Sequence, residues 1–466
     1  GWDVLLAGDP RDPSGSYEGI DLGLNMLSAE YRDPFPVSMG ATDQLWGPTM
    51  RALEQHADLA TCFRGINMNT VSHQTAKSYS HTGRQPAGAV ARGDSIATVA
   101  ASVHDQGALL PNAAISIPSY NRAFDNRFSA IRMNDPREIR DLIGGTRGAL
   151  PEGVEGLLHK ALEDAYSCVS PAYSGRLPED ELRISRDRIL KLQEQDVVAR
   201  FDFNADTAEM NEIRALYPLE GGPGRATATA AQLLLTDLSA AVTTRVRGGY
   251  DTHGAQWAAD QPQRLVEAFE AIGAMLTHLR NDDPNFERTT VLVYSEFART
   301  PKINGDGGRD HWFADTMMVF GSTLKNGVFG ASNDQDLGLL AVDPTTGLPD
   351  ESGFQLRPEH VMATLVQSLG GDPSPYREDP LSAWIAKELT PCGSWASYRW
   401  LPSSSRARPP LSSRHNRLRS ARPSRSSTSI ATFVSSRSTS TAAFQRSRST
   451  NACTPSRTSA KRSSTR

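Results

Sequence analysis

The chain has 466 residues, of which 38% are hydrophobic and 22% charged, a composition typical of a globular protein with room for one large or two ordinary α/β domains. No apolar run approaches the ~18 residues of a membrane-spanning helix, which excludes a transmembrane protein. The four cysteines form no CxxC pair, which argues against a zinc ribbon, a thioredoxin motif or a disulfide framework.

The net charge of −4 is unevenly distributed along the chain. Residues 391–466 hold 15 of the 49 basic side chains and none of the 53 acidic ones, which leaves residues 1–390 with a formal charge of −19. An acidic body of this kind repels phosphate backbones and excludes a nucleic-acid function for that part. The Ser/Arg-rich tail lacks apolar periodicity, so we expect it to be disordered. One interpretation is a basic arm that binds RNA or an acidic partner. The other, which we favour, is that the tail is the product of out-of-frame reading of the gene.

In chain order, the first predicted element is a buried strand over Trp2–Ala7, and we expect the natural N-terminus to lie upstream of Gly1. Asn67–Arg84 is interpreted as a loop that enters a helix, with Thr70 or Ser72 as its cap.

Residues 135–217 are charged and helical in pattern, and we interpret them as an inserted helical cap. After a Gly-rich break the α/β rhythm returns. A strand is predicted from Ala241 to Arg247, an amphipathic helix over Gln261–Leu279, and a fully apolar strand over Thr289–Tyr294. This order predicts a helix-covered, mostly parallel sheet, in which function belongs just after the strands.

Potential metal ligands concentrate in three loops with the sequences GGYDTHGAQ, VYSEFARTPKING and GGRDHWF. The candidate ligands are carboxylates and imidazoles without thiolates: Asp251, His253, Glu296, Asp310 and His311. Such a set suits a divalent metal, with Zn²⁺, Ca²⁺, Mg²⁺ and Mn²⁺ not distinguished. A cation would also relieve the repulsion among grouped carboxylates. Each residue alone could equally be a turn or capping residue. Other histidines lack such company and are interpreted as structural: His56, His104, His159, His278 and His360.

Together with SHTGRQPAG, these strings resemble a bacterial sulfatase-like family catalogued as domain of unknown function number fifteen hundred and one, a relative of the alkaline phosphatase and sulfatase superfamily. The resemblance spans residues 1–390. It implies an alkaline-phosphatase-like three-layer sandwich and often a twin-arginine signal, hence a periplasmic or extracellular location. It also implies metal-ligand roles for Asp3, Asp251, His253, Glu296 and His311, with Asp310 as an extra ligand or an orienting group.

The sequence departs from the superfamily pattern at several positions. Asp251 and His253 are closely spaced and Phe297 replaces a histidine, so one metal or an altered pair is expected. Asn69 occupies the expected nucleophile position, which leaves Thr70, Ser72 or a water to attack. Basic loop residues could hold the anionic substrate: Arg84, Arg299, Lys302 and Arg309.

Two functions remain open at this point. The first is a metal-dependent hydrolase acting on a small phosphate or sulfate ester. The second is an exported, non-catalytic protein on a degenerate sulfatase-like fold that binds sulfated or phosphorylated glycans. The sequence does not specify an oligomeric state.

Overall fold

The computed structural model describes residues 24–40, 42–88, 90–104, 108–144, 160, 197–333 and 338–389, and the backbone of 432–435. The strand predicted over Trp2–Ala7, the candidate ligand Asp3 and most of the proposed insertion lie outside these residues. The described part of residues 135–217 contains the helical segments Glu138–Gly144, Val197–Phe201 and Ala208–Leu216.

The strands, in chain order, are β1 (Phe35–Met39), β2 (Thr42–Trp46), β3 (Ala60–Asn67), β4 (Asn112–Ile115), β5 (Ile131–Met133), β6 (Ala241–Thr244), β7 (Thr289–Tyr294), β8 (Ala298–Arg299), β9 (His311–Trp312), β10 (Ala314–Phe320), β11 (Gly327–Phe329), β12 (Ala341–Val342), β13 (Phe354–Gln355) and β14 (Thr432–Ser435). The predicted strand over Thr289–Tyr294 is confirmed with the same bounds.

The α-helices are α1 (His73–Thr82), α2 (Ile96–His104), α3 (Glu138–Gly144), α4 (Ala208–Leu216), α5 (Gly222–Leu235), α6 (Trp257–Asp282) and α7 (Pro358–Ser368). The longer 3₁₀ segments are Pro48–Leu59 and Val197–Phe201. The predicted amphipathic helix is confirmed as part of α6, since its apolar stripe is buried: Leu265, Phe269, Ile272, Leu276 and Leu279. No helix among the described residues is long and apolar enough to cross a bilayer.

The central sheet has the spatial order β11-β3-β10-β7-β14-β6-β4-β5 within the described chain. Strands β3, β4, β5, β6, β7 and β11 share one direction, whereas β10 and β14 run the opposite way. The sheet is therefore mixed, and the expectation of a mostly parallel sheet holds for strand direction but not for pairing. The antiparallel pairing of β10 with β7 arises because residues 295–313, which join the two strands, contain no α-helix that crosses over to start a parallel strand.

Helices cover both faces of this sheet. Along β7, Val291 and Val293 belong to the core that contains α5 and α6, whereas Leu292 and Tyr294 belong to the core that contains α1, α2 and α7. Alternate side chains of a strand point to opposite faces, so β7 is buried on both sides. The fold is thus α/β, with a layer of helices on each side of the sheet.

The basic tail contributes one strand to this sheet. Strand β14 pairs antiparallel with both β6 and β7. The prediction of a disordered tail stays a prediction, because this pairing concerns the backbone of four residues alone. The rest of the tail lies outside the described residues.

Candidate functional site

The sheet topology brings four loops to one edge. Strands β3, β6 and β7 end at this edge, and the loops that follow them carry His73, Asp251 and Glu296. Strand β10 runs in the opposite direction and starts here, with Ala314 beside Asn67 of β3. The loop before β10 therefore reaches the same place as the loops that follow the parallel strands.

Three imidazoles surround one carboxylate oxygen at this edge. Asp251 Oδ1 lies 2.9 Å from His253 Nε2, 3.0 Å from His311 Nε2 and 3.4 Å from His73 Nε2. The nitrogens of His253 and His311 are 3.1 Å apart. We call Asp251, His73, His253 and His311 the His₃Asp cluster. Within it, His73, Asp251 and His311 offer ligand atoms that all lie within 4.8 Å of one another, a set that could hold a metal ion.

Sequence reasoning did not identify His73. It is the first residue of α1 and donates from Nδ1 to Glu296 Oε1 at 2.6 Å. The side chain of Glu296 is only 1% exposed, and Lys77 Nζ lies 3.9 Å from its second oxygen. Glu296, expected as a metal ligand, therefore contacts the cluster by orienting His73. The available signal was position, because His73 follows the loop after a strand as the other candidates do.

A second carboxylate orients His253. Its Nδ1 donates to Asp310 Oδ1 at 2.7 Å, and Asn304 Nδ2 donates to the same oxygen at 3.0 Å. The hydrogen bond from His253 lowers the pKa of the Asp310 carboxyl, so that it stays ionised. Of the two roles expected for Asp310, the geometry shows the orienting one.

The third imidazole is oriented by the backbone. His311 Nδ1 donates to the carbonyl of Val71 at 2.9 Å. Burial lowers the pKa of His311, against the raising effect of its hydrogen bond with Asp251. Phe297 packs against the rings of His73 and His311 with centroid separations of 5.0 and 4.6 Å. It supports the cluster by packing.

A buried guanidinium completes the surroundings of Asp251. Arg299 is 2% exposed, and its Nη2 donates to Asp251 Oδ1 at 2.5 Å. Its Nη1 lies 3.3 Å from His253 Nε2 and 3.1 Å from the carbonyl oxygen of Arg309. Arg299, one of the basic residues proposed to hold a substrate, thus contacts the cluster directly.

Arg309 has a structural position. It is 0% exposed, its guanidinium donates to the carbonyls of Thr300, at 2.8 Å, and Pro301, and it lies 4.3 Å over the ring of Trp257. These contacts hold the loop that carries Asp310 and are not those expected of a substrate-binding side chain.

The hydroxyls considered as nucleophiles lie on the loop beside His73. Ser72 is the N-cap residue of α1, and its side chain makes no capping hydrogen bond. The Thr70 hydroxyl oxygen accepts the Ser72 backbone N–H at 3.1 Å. Ser72 is exposed and adjacent in sequence to His73, which makes it the better placed of the two.

A close backbone contact fixes two of the loops together. A Cβ on Gly308 would lie 2.2 Å from the carbonyl carbon of His253, so only glycine fits there. Gly254 and Gly307 also form a β-bridge, and Arg309 N–H donates to the carbonyl of Thr252 at 3.0 Å. The spacing between His253 and Asp310 therefore depends on this contact.

The histidines that are interpreted as structural lie in contact with groups outside the His₃Asp cluster, where the structure describes them. His56 lies against the carbonyl of Gly273, His104 against that of Leu369, and His278 against Tyr217. His360 contacts Glu378, and His159 lies outside the described residues.

Fold and site together define a helix-covered α/β protein with a histidine-rich polar cluster where loops meet at one sheet edge. Residues 181–372 match the family described as "Protein of unknown function (DUF1501)". The matched segment contains Asp251, His253, Glu296, Asp310 and His311, but not His73. No curated protein and no solved structure matches the chain.

Proposed function

We propose that the chain is a metal-dependent hydrolase acting on phosphate or sulfate esters, with the His₃Asp cluster as its metal site. One observation carries the proposal: three imidazole Nε2 atoms point at the same carboxylate oxygen, while each opposite Nδ1 donates to an oxygen acceptor.

The hydrogen bonds define the tautomers of these histidines. An ionised carboxylate or a carbonyl can only accept, so the Nδ1 atoms of His73, His253 and His311 carry the protons. In the neutral form of each ring, the Nε2 lone pair faces Asp251 Oδ1, to which Arg299 already donates, and a metal ion could accept all three lone pairs together. Burial lowers the pKa of His311, which favours the neutral form of that ring. Metal-ligating histidines usually have this kind of anchored second nitrogen.

The donor set also narrows the class of ion. Ca²⁺ and Mg²⁺ prefer all-oxygen coordination, whereas three imidazoles and one carboxylate suit Zn²⁺ or another divalent first-row transition metal. We therefore propose an ion of the second kind, held by His73, Asp251 and His311 and joined by His253.

Such an ion would polarise an ester oxygen and lower the pKa of a bound water. The protein supplies the remaining functions. Arg299 places a buried positive charge beside Asp251, where it can face an anionic ester group. Glu296 and Asp310 keep His73 and His253 aimed at the site. Ser72 is our candidate for the attacking hydroxyl, because its side chain is not used as a helix cap.

The alkaline-phosphatase-like architecture and export from the cytoplasm belong to the same proposal. Helices on both faces of a sheet and a polar cluster at one sheet edge support the first. Export rests on the family resemblance, and fractionation of cells that produce the natural protein tests it.

Elemental analysis combined with ester turnover tests the proposal. Protein purified without a metal-affinity tag should hold a transition metal near one equivalent and hydrolyse 4-nitrophenyl phosphate or sulfate until chelator is added. His73→Ala and Asp251→Asn should lose both properties, whereas Asp306→Asn, which changes an exposed carboxylate of the loop that carries Asp310, should keep them. Absence of bound metal after incubation with Zn²⁺, Mn²⁺ and Fe²⁺ would reject the site.

One observation favours the alternative of a non-catalytic binding protein. Asn69 occupies the expected nucleophile position and has a left-handed backbone, with φ of 48°. Stoichiometric metal without turnover of any ester, together with retention of a sulfated or phosphorylated glycan, would select this alternative.

A further inference from the structure

A separate cavity opens beside the loop that leads into α1. Its volume is about 350 Å³, within the usual range for small-molecule sites. It is lined mainly by amide, aromatic and charged side chains: Asn67, Asn69, Tyr79, Gln85, Phe354, Gln355, Arg357, His360 and Glu378. None of these residues belongs to the His₃Asp cluster.

The charges of the cavity wall cancel. Arg357 donates to one oxygen of Glu378, and His360 Nε2 lies 3.3 Å from the other. The backbone N–H of Arg357 donates to His360 Nδ1 at 3.1 Å, so this imidazole carries its proton on Nε2. Burial lowers the pKa of His360, which keeps it neutral. The wall therefore has no net charge to attract an ion.

Hydrogen bonds hold two of the cavity's side-chain amides, those of Asn67 and Gln355. Asn67 Nδ2 donates to Gln355 Oε1 at 2.8 Å, and Asn67 Oδ1 accepts the backbone N–H of Asn69 at 2.8 Å. These bonds leave Gln355 Nε2 and the side-chain amides of Asn69 and Gln85 without a partner among the described residues. Each free amide of Asn69 and Gln85 both donates and accepts, as a sugar hydroxyl does.

Aromatic rings line another part of the same cavity. The rings of Phe354 and His360 lie 4.5 Å apart and tilted by 42°. The Tyr79 hydroxyl donates to Glu359, so its oxygen keeps acceptor capacity. A ring with hydroxyls at its edge and C–H groups on its face matches such a combination of amides and aromatic carbon.

We propose that this cavity binds a neutral saccharide unit, whose hydroxyls are recognised by Asn69, Gln85 and Gln355. Asn69 is four residues from His73, so their Cα atoms are at most ~14 Å apart. A saccharide held here could carry an ester group to the His₃Asp cluster. That link, and not the saccharide site, rests on the proposed function.

Saturation-transfer NMR on the full chain, with chelator present, tests the cavity without using activity. The probes are glucose, galactose, mannose, N-acetylglucosamine, maltose and cellobiose. We expect saturation of at least one sugar, and about tenfold weaker binding in Asn69→Gly and Gln355→Ala, since each loses a hydrogen bond to the ligand. Asn69→Gly keeps the left-handed backbone, and circular dichroism verifies the fold of both variants.

The control is Gln55→Ala, an exposed amide that contacts Thr277 on another part of the molecule and should leave binding unchanged. No saturation of any sugar, equal binding in the cavity variants, or saturation of an acetylated trialanine amide instead of the sugars would overturn the inference. If the protein binds a sugar but holds no metal ion, the proposed function is rejected and the saccharide site stands.

Discussion

Glu296→Gln tests whether a buried carboxylate orients a metal ligand. In the wild-type protein, His73 Nδ1 lies 2.6 Å from a carboxylate oxygen of Glu296. Glutamine keeps the shape of the side chain and an acceptor oxygen for this nitrogen, but it removes the negative charge. Charge-assisted hydrogen bonds are roughly twice as strong as neutral ones, and loss of such a partner typically costs ~10–100-fold in metal affinity, or ~1.4–2.7 kcal/mol. Because Glu296 is 1% exposed, water screens little of this effect.

The contrast with Asp310→Asn sharpens the test. Asp310 orients His253 in the same way but is 51% exposed, so we expect a loss of only a few-fold. The assay is competition for Zn²⁺ against a chromophoric chelator, with urea unfolding to verify the fold. Asp58→Asn, which breaks an exposed ion pair with Arg280 near the C-terminal end of α6, is the matched control for Asp310→Asn. Unchanged Zn²⁺ affinity in Glu296→Gln, together with loss in His73→Ala, would refute the orienting role.

Three further results are expected. Arg309→Met should lower the free energy of unfolding by about 3 kcal/mol, because it leaves buried carbonyls without donors, and urea titration measures this. Gly308→Ala should weaken Zn²⁺ binding at least ~10-fold in the same competition assay, because its Cβ displaces the backbone of His253; wild-type affinity would contradict this. Burial lowers the pKa of His81 to about 3 and of His104 to about 4. Their neutral forms stabilise the fold fully above pH ~6.5. As the pH falls from there towards 4, each histidine should lower the free energy of unfolding by ~1.4 kcal/mol per pH unit. Urea titrations at pH 7, 6 and 5 that show no loss of stability would refute this.

The fold was predictable where a local pattern records burial. Val291–Tyr294 is apolar at four successive positions, so both faces of the strand are apolar, and that pattern identifies β7 as a strand buried on both sides. The direction of β10 has no such local record, because Ala314–Phe320 is buried throughout whether it runs parallel or antiparallel. Its pairing depends on the long-range register with β3.

The site was predictable as a set of loops but not as a set of roles. The spacing after strands indicated that Asp251 and His311 would meet, and they do, at 3.0 Å. Whether Glu296 faces a metal or a histidine depends on side-chain direction, which sequence spacing does not encode. Arg309 resembles any loop arginine in sequence, yet it is fully buried, because the carbonyls it serves come from its own loop.

The guanidinium of Arg299 shares its carboxylate partner with the imidazoles around it. It neutralises that half-buried anion by itself, so the chain can assemble this corner before any ion arrives. Unlike a zinc finger, which collapses when its ion is stripped, the polypeptide should stay folded in chelator, and reloading should need no refolding. Loss and recovery of the ion would then switch chemistry without a cycle of denaturation.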